Sequence, residues 1–186
     1  MDGGGVEPTP FASDLADAQR GGERGLTALF RTFHPRLLRY LRAREPTRAD
    51  DLAGETWLAV AAQIRSFEGD VGAFSAWIFT IARQRLADAR RSAARRRTDP
   101  VDDVPVPPAG ESTEQAGLDQ LDAQAAVDFI ARNLTPEQAD VVLLRTLGDL
   151  NAAEVAAILG RDEGWVRVTH HRALKRLRER LPDQQL

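Results

Sequence analysis

The sequence predicts an all-α fold: two small helical domains joined by a flexible acidic linker. Three observations carry this. Apolar residues recur at three- and four-residue steps through most of the chain, and no stretch alternates as a half-buried strand would. A Pro-rich acidic stretch divides the periodic regions. A length of 186 residues suits two modest cores.

Residues 1–22 are rich in Gly, Pro and Asp and read as a disordered N-terminal tail, with room for one short helix near Ala12 to Arg20. The first domain spans residues 23–97. Leu26, Leu29, Phe30, Phe33, Leu37, Leu38 and Leu41 set a helical stripe, which Pro35 is expected to kink or divide. Glu45-Pro46-Thr47 breaks the chain, and Thr47 or Asp50 is placed to cap the next helix, whose apolar positions are Leu52, Trp57, Leu58, Ala61 and Ile64. That helix stops around Phe67 to Asp70. Another runs from about Val71 to Arg95 on Phe74, Trp77, Ile78, Ile81 and Leu86.

Residues 98–117 hold Pro100, Pro105, Pro107, Pro108 and Gly110 among acids, too little apolar surface to offset chain entropy, and read as the linker. The second domain, residues 118–182, has clear helix starts. Thr135-Pro136-Glu137-Gln138 is a capping box with Pro at the first helical position, and Asn151 with Glu154 is a second capping pair. Gly148 ends the first of these helices and Gly160 the second. A long basic helix follows from about Glu163 to Arg180, with Trp165, Val166, Ala173, Leu174 and Leu177 inward. Short helix, glycine turn and long basic helix form a helix-turn-helix pattern.

Charge sharpens this. The net charge is −3, but the signs are segregated. Arg83, Arg85, Arg90, Arg91, Arg95, Arg96 and Arg97 are opposed only by Asp88. An acidic run from Asp99 to Asp128 holds no Lys or Arg, and Arg161, Arg167, Arg172, Lys175, Arg176, Arg178 and Arg180 follow it. Two basic segments of this kind suit a phosphate backbone whatever the total charge. In the last helix, Arg can pair bidentately with guanine and Thr169 can meet a thymine methyl. Beside the first basic segment, Phe74, Trp77 and Phe79 could stack on unpaired bases. Phe74 and Trp77 match the apolar stripe better as core, and the loop from Phe67 to Gly72 is the better place for an extruded base.

The chain has no cysteine, which excludes disulfides and thiolate metal sites, and no apolar run of membrane-spanning length. The start carries no secretory signal pattern. His34, His170 and His171 are the only histidines, and adjacent helical residues make a poor ligand pair. No zinc-protease motif, phosphate loop or nucleophile elbow is present, so no catalytic site, metal or cofactor is expected.

Several motifs resemble the extracytoplasmic-function (ECF) sigma factors of the sigma-70 family. Asp50-Asp51-Leu52-Ala53-Gly54-Glu55-Thr56-Trp57 is similar to the helix that grips the beta-prime clamp coiled coil of RNA polymerase. Ala73 to Arg83 (AFSAWIFTIAR) is similar to the minus-ten-reading helix. Thr135 to Leu144, Ala153 to Gly160, Gly164 to Val168 and His171 to Leu177 resemble the minus-thirty-five domain. The motifs occur in family order across both domains, with no third domain between, as in the ECF group.

The resemblance implies a sigma-2-like domain and a sigma-4-like domain. Asp50, Asp51, Leu52, Glu55 and Trp57 would bind core polymerase. Phe67, Asp70, Phe74, Trp77, Arg83, Gln84, Arg90 and Arg91 would meet minus-ten DNA. Arg161, Trp165, Arg167, Val168, Thr169, His171, Arg172, Lys175 and Arg176 would meet minus-thirty-five DNA. Gln84 stands where many members have Asn, Trp165 where many have Thr, and Val168-Thr169 where many have Ser-Arg; these departures bear on which promoter is read. The resemblance also implies an anti-sigma factor that holds the protein inactive, with the chain cytoplasmic or tethered through that partner at the membrane's inner face. No small-molecule substrate and no membrane insertion are expected. A stand-alone helix-turn-helix regulator is the alternative, accounting for the second domain only.

Overall fold

The computed structural model describes residues 9–98 and 117–181, with side chains over 9–95 and 123–181. The expected linker, apart from its two end residues, and the first eight residues of the tail lie outside the described residues. Every regular element among the described residues is helical.

Four helices build the first unit: α1 (Pro10–Gln19), α2 (Glu23–Arg44), α3 (Ala49–Gln63) and α4 (Val71–Thr98). α2 is the axis, burying Leu29, Phe33, Leu37, Tyr40 and Leu41 against the other three. Pro35 does not divide it. The helix is continuous because Pro35 lies on its exposed face, where water can satisfy the carbonyl that loses its partner. Neither Thr47 nor Asp50 caps α3. A single 3-10 turn, Pro46–Arg48, leads into it, and Arg48 holds the cap position with no side-chain bond. Leu52, Trp57 and Ile64 point inward as expected, but Leu58 is 74% exposed.

Residues 10–20 are not a disordered tail. α1 packs along α2, buries Leu15 and Ala18, and sets the Phe11 ring 5.7 Å from Phe74 and 6.4 Å from Phe33. The crossing is close enough that a Cβ on Gly25 would fall 2.2 Å from the Asp14 carbonyl oxygen. Asp17 then accepts from the Gly25 amide at 2.8 Å, satisfying an open donor at the start of α2. The sequence hid this because the apolar face of α1 is only Phe11, Leu15 and Ala18, too short for periodicity to register.

The second unit holds α5 (Gly117–Asn133), α6 (Pro136–Leu147), α7 (Ala152–Leu159) and α8 (Glu163–Arg178). Both predicted capping boxes form: Thr135 with Gln138, and Asn151 with Glu154. Gly160 closes α7 at φ 64, a left-handed conformation that glycine adopts without steric cost. Asp162 caps α8 by accepting from the Trp165 amide at 2.7 Å.

The two units touch. α6 lies on α2 and α7 on α4. Asp140 of α6, 4% exposed, meets Arg44 and Arg83, whose nitrogens stand 2.8 and 2.9 Å from its carboxylate oxygens. The Arg44 contact is a charge pair without aligned hydrogen-bond geometry. The Tyr40 hydroxyl donates to Asp140 Oδ1 at 3.2 Å, and the Ser75 hydroxyl to the Gly148 carbonyl at 2.5 Å. Burial, first, and the neighbouring carboxylate keep the Tyr40 hydroxyl protonated far above the usual phenol range.

Candidate nucleic-acid and protein interfaces

α3 presents one open face. Asp50, Asp51 and Glu55 are exposed on it; Asp50 pairs with Arg42 at 3.4 Å and Glu55 stands 4.0 Å from Arg48. Leu52 and Trp57, expected as contacts, belong instead to the core: Leu52 is fully buried and the Trp57 ring packs 5.0 Å from Phe30. They occupy the inward half of the same helical turns. The residue missed is Leu58. Asp51, Glu55 and Leu58 follow at i, i+4 and i+7, one outward row, so a leucine at a polar-face position was the available signal. Phe30 of α2, 39% exposed and stacked on His34 at 4.2 Å, is a second large apolar residue left partly open in this unit.

At the start of α4 the loop is held at both ends. Asp70 caps α4 by accepting from the Ala73 amide at 2.8 Å, so its carboxylate is committed to the helix rather than to a base. Upstream, the Gln19 side chain donates to the Ile64 and Phe67 carbonyls at 3.3 and 2.7 Å, a tether from α1 that sequence reasoning missed because it spans 48 residues. Phe67 stacks on Trp77 at 4.9 Å and meets the Phe74 ring edge-on at 5.3 Å. Phe74 is fully buried and has no face to offer DNA, whereas Phe67 and Trp77 remain half-exposed.

The basic stretch of α4 is only partly free. Arg83 is turned to Asp140. Arg90 donates to the Arg44 carbonyl at 2.8 Å and lies 3.7 Å from Glu45, and Arg91 pairs with Asp88. Gln84 is exposed. The acid partner Glu45 comes from the end of α2, which a local charge count along α4 does not include.

α8 buries Val166 and Ala173 and rests Trp165 and Leu177 on the core. At about 100° per residue, Arg167, His171, Lys175, Val168, Arg172 and Arg176 then fan over roughly half of the helix circumference, all exposed. Arg167 pairs with Glu163 at 2.5 Å and Lys175 stands 4.0 Å from Glu179. Arg161 pairs with Glu137 at 2.9 Å and lies over the Trp165 ring at 5.1 Å. Thr169 is half-buried at the edge of the fan.

His170 does not share a groove-facing position with Arg167 and His171. It is half-buried, and burial, with Arg145 nearby, lowers its pKa. In the free chain its surroundings therefore oppose the proton that an approaching phosphate would favour. Burial also lowers the pKa of His34, reinforced by Arg42 and opposed by Asp50, and its Nδ1 is buried without a partner. Folding thus disfavours the protonated form of both rings, while the unfolded chain titrates near the ordinary value of about 6.5. Stability from these groups is complete above that pH and is lost as pH falls below it. The melting temperature is expected to be level from pH 8 to 7 and to fall between pH 6.5 and 5, with a shallower fall in His34→Gln. A melting temperature that rises on acidification would contradict the assignment.

Two family models match the chain: Sigma-70 region 2 over residues 29–96 and Sigma-70, region 4 over residues 132–179. The ECF RNA polymerase sigma factor SigD of Mycobacterium tuberculosis is 31% identical over 173 residues, covering 90% of this chain and 82% of the relative. ECF RNA polymerase sigma factor ShbA of Streptomyces griseus is 33% identical over 183 residues, covering 92% and 95%. Among solved structures, the sigma factor RpoE of Bartonella quintana, in complex with the anti-sigma factor NepR, superposes with a TM-score of 0.61 at 24% identity, covering 86% of this chain and 98% of that one. CnrH in complex with the cytosolic domain of CnrY gives 0.59 at 21% identity, covering 91% and 95%. These two likenesses are of fold.

Proposed function

The chain belongs to the sigma-70 family as an ECF RNA polymerase sigma factor, and from that premise we propose how its surfaces divide the work of transcription initiation. The outward row of α3, Asp51, Glu55 and Leu58, meets the clamp coiled coil of core polymerase. The loop before α4, with the half-exposed Phe67–Trp77 pair, receives minus-ten DNA, and the exposed basic fan of α8 reads the minus-thirty-five element. A stand-alone regulator would explain α5 to α8 only, and the match to Sigma-70 region 2 over residues 29–96 removes its support. The protein is an initiation factor and not an enzyme.

The observation that carries the reading is the α8 fan: six exposed residues, four of them cationic, on a helix whose opposite side is fixed to α6 and α7. A recognition helix enters the major groove in this way. Its exposed ion pairs are weak enough for DNA phosphate to displace. Arg167→Ala is expected to cost about 1–3 kcal/mol and to relax preference at particular bases. Arg176→Ala should weaken all sequences alike and reduce the salt slope by about one unit. Promoter binding by reconstituted holoenzyme, measured across single-base promoter changes and several salt concentrations, separates the two. Intact base preferences in Arg167→Ala would show that this helix is not read as proposed.

An anti-sigma factor fits the same surfaces. The acidic face of α3 with Leu58, and Phe30 nearby on α2, are open in the free chain, and the Bartonella quintana protein of like fold is held by such a partner. No helix among the described residues is long and apolar enough to cross a membrane. Work on core RNA polymerase and promoter DNA assigns the chain, in this reading, to the bacterial cytoplasm, with any membrane tether supplied by the regulator.

A further inference from the structure

Gln19 closes α1 with a polar side chain where that helix meets the loop before α4. The docking of α1 is carried by apolar contacts: Leu15 and Ala18 are buried, and the Phe11 ring sits against Phe33 and Phe74. Gln19 adds something different. It is half-buried, and its amide is spent on loop backbone. Nε2 donates to the Ile64 carbonyl at 3.3 Å and to the Phe67 carbonyl at 2.7 Å. A primary amide has two N–H donors, and here each has its own acceptor, which fixes the nitrogen on the loop side.

Both acceptors lie where the loop takes its shape. Ile64 opens the 3-10 turn Ile64–Ser66, and its carbonyl also accepts from the Phe67 amide at 3.1 Å. Phe67 is the first residue past that turn, at φ −73 and ψ 131, where the chain goes from helical to extended. The Gln19 amide therefore bridges the two sides of the bend. The ring that leaves this bend is the one stacked on Trp77, at 26° between planes. Downstream, Asp70 is committed to the α4 cap, and Ser66 bonds only its own turn at the Gln63 carbonyl. Among the described residues, no other side chain from outside the loop and its flanking helices hydrogen-bonds the backbone of this bend.

We propose that Gln19 is a positioning residue for minus-ten recognition: it holds the Ile64–Phe67 bend so that the half-exposed Phe67–Trp77 pair is set before DNA arrives. The proposal rests on the assignment of that loop to minus-ten DNA given above. Gln19 touches no base; it acts through the backbone of the loop. A loop set in advance has little ordering left to do when a base enters. A loop that samples several bends binds only in proportion to the time it spends in the competent one. Gln19 bonds neither the outward row of α3 nor α8, so core affinity and minus-thirty-five reading are expected to stay as they are.

The test compares three variants of the full chain in reconstituted holoenzyme. Gln19→Glu keeps the side chain's shape but turns an acceptor toward two carbonyls. Gln19→Met keeps the length and removes the polar group. Phe67→Ala removes the ring that the loop presents. The probe is a randomised pool of single-stranded DNA, sequenced before and after capture by holoenzyme, so the promoter need not be known. Wild type should enrich particular bases, and Phe67→Ala should flatten some of those positions. Both Gln19 variants should lose enrichment at the same positions, by roughly three- to tenfold, at unchanged core affinity. Hydrogen exchange at the Phe67 amide of the free chain should quicken by a similar factor. Enrichment retained in both Gln19 variants while Phe67→Ala loses it overturns the positioning role. Core affinity lost along with enrichment in both Gln19 variants overturns it too, because that marks a general loss of structure. Enrichment absent in wild type, or intact in Phe67→Ala, overturns the assignment of the loop to minus-ten DNA. The exchange rate then decides the bend alone, and an unchanged rate overturns the hold of Gln19 on it.

Discussion

Replacing Asp51 and Glu55 together with Arg is expected to abolish binding to core polymerase and to leave the fold in place. Both side chains are exposed, so neither change disturbs the core. Glu55 loses only a 4.0 Å surface pair with Arg48, worth at most about 1 kcal/mol. A cation at position 51 faces the positive end of the α3 dipole, at a cost of about 0.3–1 kcal/mol. At the interface the exchange is far larger. Two carboxylates become two guanidiniums, and like charges brought together across a docked surface cost several kcal/mol. The comparison is core affinity by titration beside circular dichroism and melting temperature. Unchanged affinity with both positions reversed would move the polymerase contact away from α3.

Phe74→Ala is expected to have the largest effect on stability, about 3–5 kcal/mol. The ring is fully buried and surrounded by Phe11, Phe33, Phe67 and Trp77, with centroids between 4.9 and 5.7 Å away. Removing it empties the point where α1, α2, α4 and the loop before α4 converge. A loss of that size is a large fraction of what a small domain possesses. Denaturant unfolding of the full chain measures it. A loss below about 1 kcal/mol, accompanied by failure to open promoter DNA, would return Phe74 to the role of stacking platform that its burial denies.

Much of the fold was legible in the sequence because its signals are local. The capping boxes at Thr135 and Asn151 are fixed by residues three apart, and the apolar rows of α2, α4 and α6 by steps of three and four. The misses at the functional surfaces share one cause: each depends on residues distant in the chain. Helix geometry separates Leu52 from Leu58, but which of them faces inward is decided only by the packing of α2 and α4 on α3. Arg90 is tied to the end of α2, Gln19 to the loop before α4, and Asp140 to the other unit entirely. The DNA-facing fan of α8 was readable as a set of residues but not as an arc. Burial of Val166 and Ala173 had to fix the rotation before His170 could be seen to fall outside it.

The clasp that α1 makes across α2 and the loop also bears on the order in which the chain assembles. Gln19 reaches a carbonyl 48 residues downstream, and Phe11 reaches the still more distant Phe74. During synthesis α1 can pack along α2 as soon as that helix emerges, but the loop carbonyls and the Phe74 ring that complete the clasp come only later. Closing so long a loop adds only about 0.6 kcal/mol per doubling of length, so the cost is one of timing more than of final stability. Contacts of such high sequence separation form slowly and late. A translation start placed downstream of Pro10 would therefore yield a chain whose remaining helices still carry their own periodic signals but leave Phe33 and Phe74 without their cover, a patch open to aggregation from the moment of release.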